Sequence, residues 1–444
     1  AASDVYKRQG PLVAAELILL PRQPLPDSRP GNSAGQTAGQ TAGPSAGPGA
    51  GAAGAAGASS AVPEQDLLTA SACLVLGNHH LLTDGWSTPV MVRDLLALYH
   101  GDPLPETAPY SDYLDWLASR EDSGETAADE DAWRERLAGL DHGTLIRDIA
   151  PATPDDLERA GRVTGESVDE LTVPDSLAAR ARHAGVTVNT LLQTAWSLTL
   201  AALTGADDIV SGTTVSGRPT QLPGIEDTVG LFINTLPARV TLDHSQTLTD
   251  TLRNVGRIQA RMTAHDQVPL SRIEQLAGAG ALFDSLVVVD NFPSLPPVTG
   301  EQLSRGRIGV TDVQVDGMTS FPVSVVSPPA APGEPVRVVL AHRPDLVDSR
   351  FVDAARTVLT RVLGYFADAG AGSAGSAGEV TEAAEPTVGD VLAGLPRWTR
   401  EDATTAPAPA RSTLPAHTTA VTSHSGGRPC LLYTSPSPRD STSS

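Results

Sequence analysis

Asn78-His79-His80-Leu81-Leu82-Thr83-Asp84-Gly85-Trp86-Ser87 is the stretch from which the rest of the chain can be read. Before it stands Ala72-Cys73-Leu74-Val75-Leu76-Gly77, an apolar run too short for a globular helix and long enough for a buried strand. The two histidines therefore end a strand. Consecutive side chains on a strand point to opposite faces, so one histidine serves the fold and the other is free to serve chemistry. Asp84-Gly85 forms a turn, and Ser87-Thr88-Pro89 reads as N-cap, first helical residue and first-turn proline of a helix. That helix runs to about His100, with Gly101 as its stop.

The residue types define a small set of possible chemistries. A neutral imidazole, with an ordinary pKa of about 6.5, can take the proton of an amine as it attacks a carbonyl, because the developing ammonium is far more acidic than the free one. A carboxylate four residues on, Asp84, can pair with an arginine and lock the loop, or orient the histidine. Gly85 lets a substrate approach the backbone, whose N–H can face a developing oxyanion. Two other readings stand beside this one: a strand-end histidine pair held by backbone hydrogen bonds, and a metal site. The metal reading is the weakest, since adjacent histidines on opposed faces chelate awkwardly and Cys73 points into the strand.

Companion motifs follow in order. They are Tyr110-Ser111-Asp112-Tyr113-Leu114-Asp115-Trp116, then Ser216-Gly217-Arg218-Pro219 leading into Asp227-Thr228-Val229-Gly230-Leu231-Phe232-Ile233-Asn234-Thr235-Leu236-Pro237. His265-Asp266-Gln267-Val268-Pro269-Leu270, Leu282-Phe283-Asp284-Ser285 and Asp290-Asn291-Phe292-Pro293 come later. Together with His79-His80-x-x-x-Asp84-Gly85 they resemble the signature of the condensation domains of non-ribosomal peptide synthetases, in the chloramphenicol-acetyltransferase-like superfamily. The resemblance covers roughly residues 11–21 and 67–366.

This resemblance implies an α/β, two-lobed chloramphenicol-acetyltransferase-like fold with its first lobe truncated at the N-terminus and the active site between lobes. It implies amide formation: the amine of an aminoacyl group on a downstream carrier protein attacks the thioester of an upstream acyl or peptidyl group. The phosphopantetheine arms belong to the carrier proteins, and this chain binds no cofactor of its own. An adenylation domain is the expected neighbour. His80 is the catalytic candidate, with His79, Asp84 and Gly85 beside it. Trp86, Ser87, Arg218 and Asn234 line the substrate channel or give it structural support. Two alternatives remain, an epimerisation domain of the same family and a catalytically silent recruiting domain. In epimerisation domains the tryptophan typically follows the serine, whereas here Trp86 precedes Ser87.

Composition narrows the classes further. The 444 residues carry 31 Lys+Arg against 52 Asp+Glu, a formal net charge of −21, and Lys7 is the only lysine. Such a surface repels phosphates and argues against nucleic acid as a partner. Two cysteines, Cys73 and Cys430, make no disulfide framework, which fits a reducing cytoplasm. Pro11 to Leu20 mimics a signal peptide, but Glu16 interrupts it and no small-residue cleavage site follows, so it reads as a strand. No apolar run reaches membrane-spanning length.

The expected organisation is a partial first lobe over 10–142, a second lobe over 166–368 and a linker-like disordered tail over 369–444. Residues of about 22–65, mostly Gly, Ala, Pro, Ser and Thr, form a flexible insertion, because they cannot bury enough apolar surface to offset ordering entropy. Residues 1–9 and about 428–444 read as non-biological flanking sequence. Within the lobes the patterns predict a helix from Tyr110, an amphipathic helix over Trp133–Leu140, a polar connector from Gly143 to about Gly165 and a strand over Glu170–Val173. A helix over Asp175–His183 follows, and then an apolar helix opened by Thr187 or Asn189. A strand over Asp208–Val215 comes next, then one over Gly230–Val240, a helix over Leu248–Ala264 and a closing helix over Asp348–Phe366. Arg218, fixed in its turn, is expected to pair with Asp84 across the lobes. Asn234 either hydrogen-bonds a passing amide or caps its own turn. His265 is the one rival to His80.

Overall fold

The structure, a computed structural model, describes residues 13–19, 72–160, 167–290, 320–329, 334–368 and 385–399. The insertion expected at 22–65 and both flanking termini lie outside them. Two apolar runs, β1 (Val13–Leu19) and β2 (Ala72–Asn78), pair antiparallel with Val13 opposite Asn78 and Leu19 opposite Ala72. After β2 comes α1 (Ser87–His100), closed by Gly101 in a left-handed conformation (φ 74°) whose N–H returns to the last turn. Then α2 (Tyr110–Ser123) and α3 (Glu125–Leu137) follow, joined at Gly124, with short α4 (Ile146–Ile149) and α5 (Pro154–Ala160) after them.

The second lobe is built from β3 (Ser167–Leu171), α6 (Leu177–Ala184), α7 (Val188–Thr204), β4 (Asp208–Val215), β5 (Asn234–Thr241), α8 (Leu248–Met262) and α9 (Leu270–Ala277). It is completed by β6 (Ser285–Val289), β7 (Val323–Ser327), β8 (Val338–His342), α10 (Ser349–Asp368) and α11 (Val388–Ala393). Its sheet has the order β3-β8-β7-β6-β4-β5, parallel between β4 and β6 and between β6 and β7, antiparallel elsewhere. Thr187 opens α7 as a true N-cap, accepting the Thr190 N–H at 3.1 Å. Nearly every residue of α7 is buried, because the helix lies between the sheet and the helices α6, α8 and α10. Trp196, Leu198, Phe351, Leu359 and Phe366 fill the core around it.

A second core lies elsewhere in the lobe. Trp133 and Leu137 from α3 pack with Val210, Leu236, Val268, Ile273 and Phe283. The helix expected to belong to the first lobe thus shares its core with the second. It also begins earlier than its apolar residues suggest: Glu125–Asp131 carries no apolar stripe, and the start is set by Gly124 at φ 82°.

Other boundaries move for identifiable reasons. β2 stops at Asn78, so His79 and His80 lie in the turn after it and the alternation of a strand does not govern them. Ser87 is the first helical residue and not an N-cap; Trp86 occupies the cap position without a side-chain cap, and the Asp84 carboxylate takes the Ser87 N–H at 2.9 Å instead. The connector holds α4 and α5, where Asp284 accepts the Ile146 N–H at 2.6 Å and Asp156 the Thr153 N–H at 3.0 Å. β5 begins at Asn234 rather than Gly230, because the Gly230 and Phe232 backbone is engaged by the first lobe. The tail expected from residue 369 contains α11, whose Val388 and Val391 are 0% and 1% exposed within the main core.

Candidate active site

Asp84 is the hub of the turn that follows β2. Its Oδ1 accepts the Ser87 N–H at 2.9 Å and lies 3.1 Å from Arg218 Nη2, while Oδ2 accepts the Phe232 N–H at 3.1 Å. Ser87 Oγ sits 2.8 Å from Asp84 Oδ1 and 2.9 Å from the Gly230 carbonyl, its one proton serving either, and it accepts the Gly230 N–H at 3.1 Å. Both charged side chains, Asp84 and Arg218, are 3% exposed. Donors such as these replace the water that a buried polar group gives up.

Arg218 is held as firmly as its partner. Its Nη1 donates to the carbonyls of Ile225 at 2.6 Å and Thr228 at 2.8 Å. The guanidinium stacks 4.1 Å from the Phe232 ring and 5.7 Å from the Trp86 ring. Burial holds its pKa below the ordinary value and Asp84 opposes the shift; a guanidinium keeps its charge under both influences. The turn presenting it depends on Gly217 at φ 62°, where a Cβ would meet the Phe232 carbonyl oxygen at 1.8 Å. The cross-lobe pair expected from the sequence is therefore formed.

Around this pair the segment 224–232 is gripped by residues 86–113. Trp86 Nε1 donates to the Glu226 carbonyl at 2.9 Å, Thr228 Oγ1 to the Ala108 carbonyl at 2.9 Å, and Tyr110 OH to the Leu231 carbonyl at 2.8 Å. Arg93 pairs with Asp227, and that hydrogen bond is the main reason its pKa is raised. Sequence reasoning singled out Trp86 and Ser87 without these partners and left Tyr110 and Phe232 out of the site. The signal that could have found them is Gly230, where a Cβ would lie 2.4 Å from the Tyr110 ring and 2.9 Å from that of Phe232.

The two histidines differ in what they do locally. His79 Nδ1 accepts the Leu81 N–H at 3.1 Å and its carbonyl accepts the Leu82 N–H at 2.9 Å, so His79 shapes the turn. Asn78 closes the same turn by donating to Thr83 Oγ1. His80 is exposed, and among the described residues it makes no hydrogen bond. One histidine builds and the other is unengaged, although a turn and not a strand makes the division. Gly85, half-buried, follows Asp84 directly.

Asn234 acts as structural support, in bonds other than a passing amide or a cap on its own turn. Its Nδ2 donates to the carbonyls of Asp266 at 2.8 Å and Val268 at 2.9 Å, and its Oδ1 accepts the Thr235 N–H at 2.9 Å. Both amide protons are used in strapping the 266–268 loop to β5, so none is left for a passing amide. His265 is committed as well: Nδ1 lies 2.7 Å from Asp129 Oδ1, and its carbonyl accepts Trp133 Nε1 at 2.9 Å. Among the described residues no group of three His, Cys, Asp or Glu side chains could hold a metal ion, and no helix is long and apolar enough to cross a membrane.

Comparison with known proteins agrees with this geometry. The family model described as the condensation domain matches residues 66–337. Vanchrobactin synthetase VabF of Vibrio anguillarum is 32% identical over 273 residues, 61% of this chain and 9% of that protein. Chondramide synthase cmdD of Chondromyces crocatus is 33% identical over 281 residues, 61% of this chain and 7% of that protein. The chain thus spans less than a tenth of the length of these two relatives. Among solved structures, the first condensation domain of the calcium-dependent antibiotic synthetase matches with a TM-score of 0.54 at 20% identity, over 73% of this chain and 67% of that one. The X-domain from teicoplanin biosynthesis matches with a TM-score of 0.52 at 22% identity, over 67% of this chain and 69% of that one. At such identities these two show the fold, which is the two-lobed one expected. A family match over more than half the sequence, with the motif histidines, Asp84 and Arg218 placed as described, shows that this chain belongs to the condensation-domain family of non-ribosomal peptide synthetases.

Proposed function

We propose that the chain forms the amide bond between a donor acyl thioester and the amine of an acceptor aminoacyl thioester, each delivered on the phosphopantetheine arm of a carrier protein. The arms arrive as parts of the substrates on upstream and downstream carrier proteins, and an adenylation domain is the adjacent partner. The acceptor nitrogen attacks the donor carbonyl carbon, the C–N bond forms and the C–S bond breaks. The proton leaving nitrogen passes to the departing thiolate, and His80 is the group that accepts or guides it. Holding the two thioester ends together supplies most of the rate, since positioning alone can contribute roughly 7–11 kcal/mol. A true general base adds about 10²–10⁴-fold. Asp84 and Arg218 hold the turn, and the Gly85 backbone leaves room for the acyl carbon and an N–H for its oxyanion.

One observation carries this reading. Within a single turn, Asp84 is buried and fully engaged, His79 is spent on the backbone, and His80 alone is exposed and uncommitted. The test supplies two differently loaded carrier proteins to the intact parent synthetase module and follows the products by mass and stereochemistry. A coupled amide is expected. Inversion of a carrier-bound residue without coupling would assign epimerisation instead, and recruitment of carriers with no product at all would assign a silent docking role.

A further inference from the structure

Residues 385–399 lie beyond the family match and beyond the helix that closes the second lobe, yet they are built into it. Glu385 Oε1 accepts from Arg180 Nη2 at 2.8 Å and from the Thr249 N–H at 3.0 Å. The backbone then runs beside the start of α8: Leu248 N–H donates to the Pro386 carbonyl at 3.3 Å, Val388 N–H to that of Gln246 at 2.9 Å and Gly389 N–H to that of His244 at 3.0 Å. Thr387 and Asp390 form a reciprocal capping box that starts α11. From α11 and the turn after it, Val388, Val391 and Leu395 enter the main core, with Leu392 and Trp398 packed against it. Trp398 lies edge-on to Phe351 with ring centres 5.4 Å apart, and its backbone N–H donates to the Leu203 carbonyl at 3.0 Å.

We propose that this segment is a docking clasp. The groove bordered by α6, α7, α8 and α10 binds it through its own contacts rather than through its covalent connection by way of residues 369–384, and the Arg180–Glu385 pair is its lock. Arg180 has a side chain 3% exposed, and among the described residues Glu385 is the one carboxylate paired with it. A groove without the segment would leave the Arg180 guanidinium without this carboxylate. The partner the groove fits is therefore a short segment with a leading carboxylate, a capped turn of helix carrying aliphatic anchors, and a closing aromatic. Docked this way, Arg397 and Trp398 stand at the Leu203–Gly205 corner of the second lobe.

Introducing a protease site within residues 369–384 and cutting the folded protein tests this. At about 1 µM, roughly a thousandfold below the effective concentration a short tether provides, the two pieces are expected to co-elute on size exclusion. A synthetic peptide of residues 385–399 should exchange into the cut protein. The same peptide with Glu385→Gln should compete about tenfold or more less well, and in an Arg180→Met background the two peptides should compete equally. Separation of the pieces after cutting overturns the clasp. Equal competition by both peptides against the Arg180 protein overturns the lock.

Discussion

Asp84 and His80 stand four residues apart in one turn and are treated oppositely by the fold. The carboxylate is buried, paired with Arg218 from the other lobe and surrounded by donors, whereas the imidazole is exposed and bonded to nothing among the described residues. The role proposed for His80 asks for freedom at the tip and rigidity at the root, and the turn provides both by placing its ion pair where the lobes meet. The contrast separates the residues whose loss should unfold this seam from the one whose loss should stop chemistry alone.

Breaking the buried side should have the largest effect. Arg218→Ala leaves Asp84 charged and unpaired and is expected to cost about 3–5 kcal/mol, read as a fall in the denaturant midpoint. Gly230→Ala drives a methyl into the Tyr110 and Phe232 rings and should cost about 1–3 kcal/mol by the same measurement.

Another motif carboxylate sharpens the comparison. Burial pushes the Asp290 carboxyl up to about 6, whereas Asp84 faces an arginine. A carboxyl with a raised folded-state pKa binds more protons folded than unfolded between about pH 4 and 6, so it takes stability away as pH rises through that window. Asp290→Asn should therefore stabilise the protein above pH 6 and change little below pH 4, as thermal melts across pH would report. On the exposed side, His80→Ala should shift stability by no more than about 0.5 kcal/mol.

What the sequence made legible follows the same division. The Asp84–Arg218 pair could be foreseen because a charge in a tight Ser216–Pro219 turn and a carboxylate beside Gly85 both call for a fixed partner. The α7 helix was readable from a largely apolar stretch and the β4 strand from its β-branched residues. The partners of Asn234 were not legible because nothing local says that the 266–268 carbonyls lie beside it, a contact made only by the folded chain. The clasp was hidden by the Ala, Thr, Pro and Gly around it, though Thr387-x-x-Asp390 with Val388, Val391, Leu392 and Leu395 carries a capping box and helical spacing. Helix α3 was found only where it is apolar, since its acidic first turns hold no packing stripe.

The central claim is that the turn separates anchor from reagent. Single-turnover coupling by the intact parent synthetase, compared between the natural sequence and His80→Ala at matched thermal stability, tests it most directly. The account predicts coupling slower by about 10²–10⁴-fold with an unchanged melting temperature. Coupling at the natural rate by that variant would contradict it.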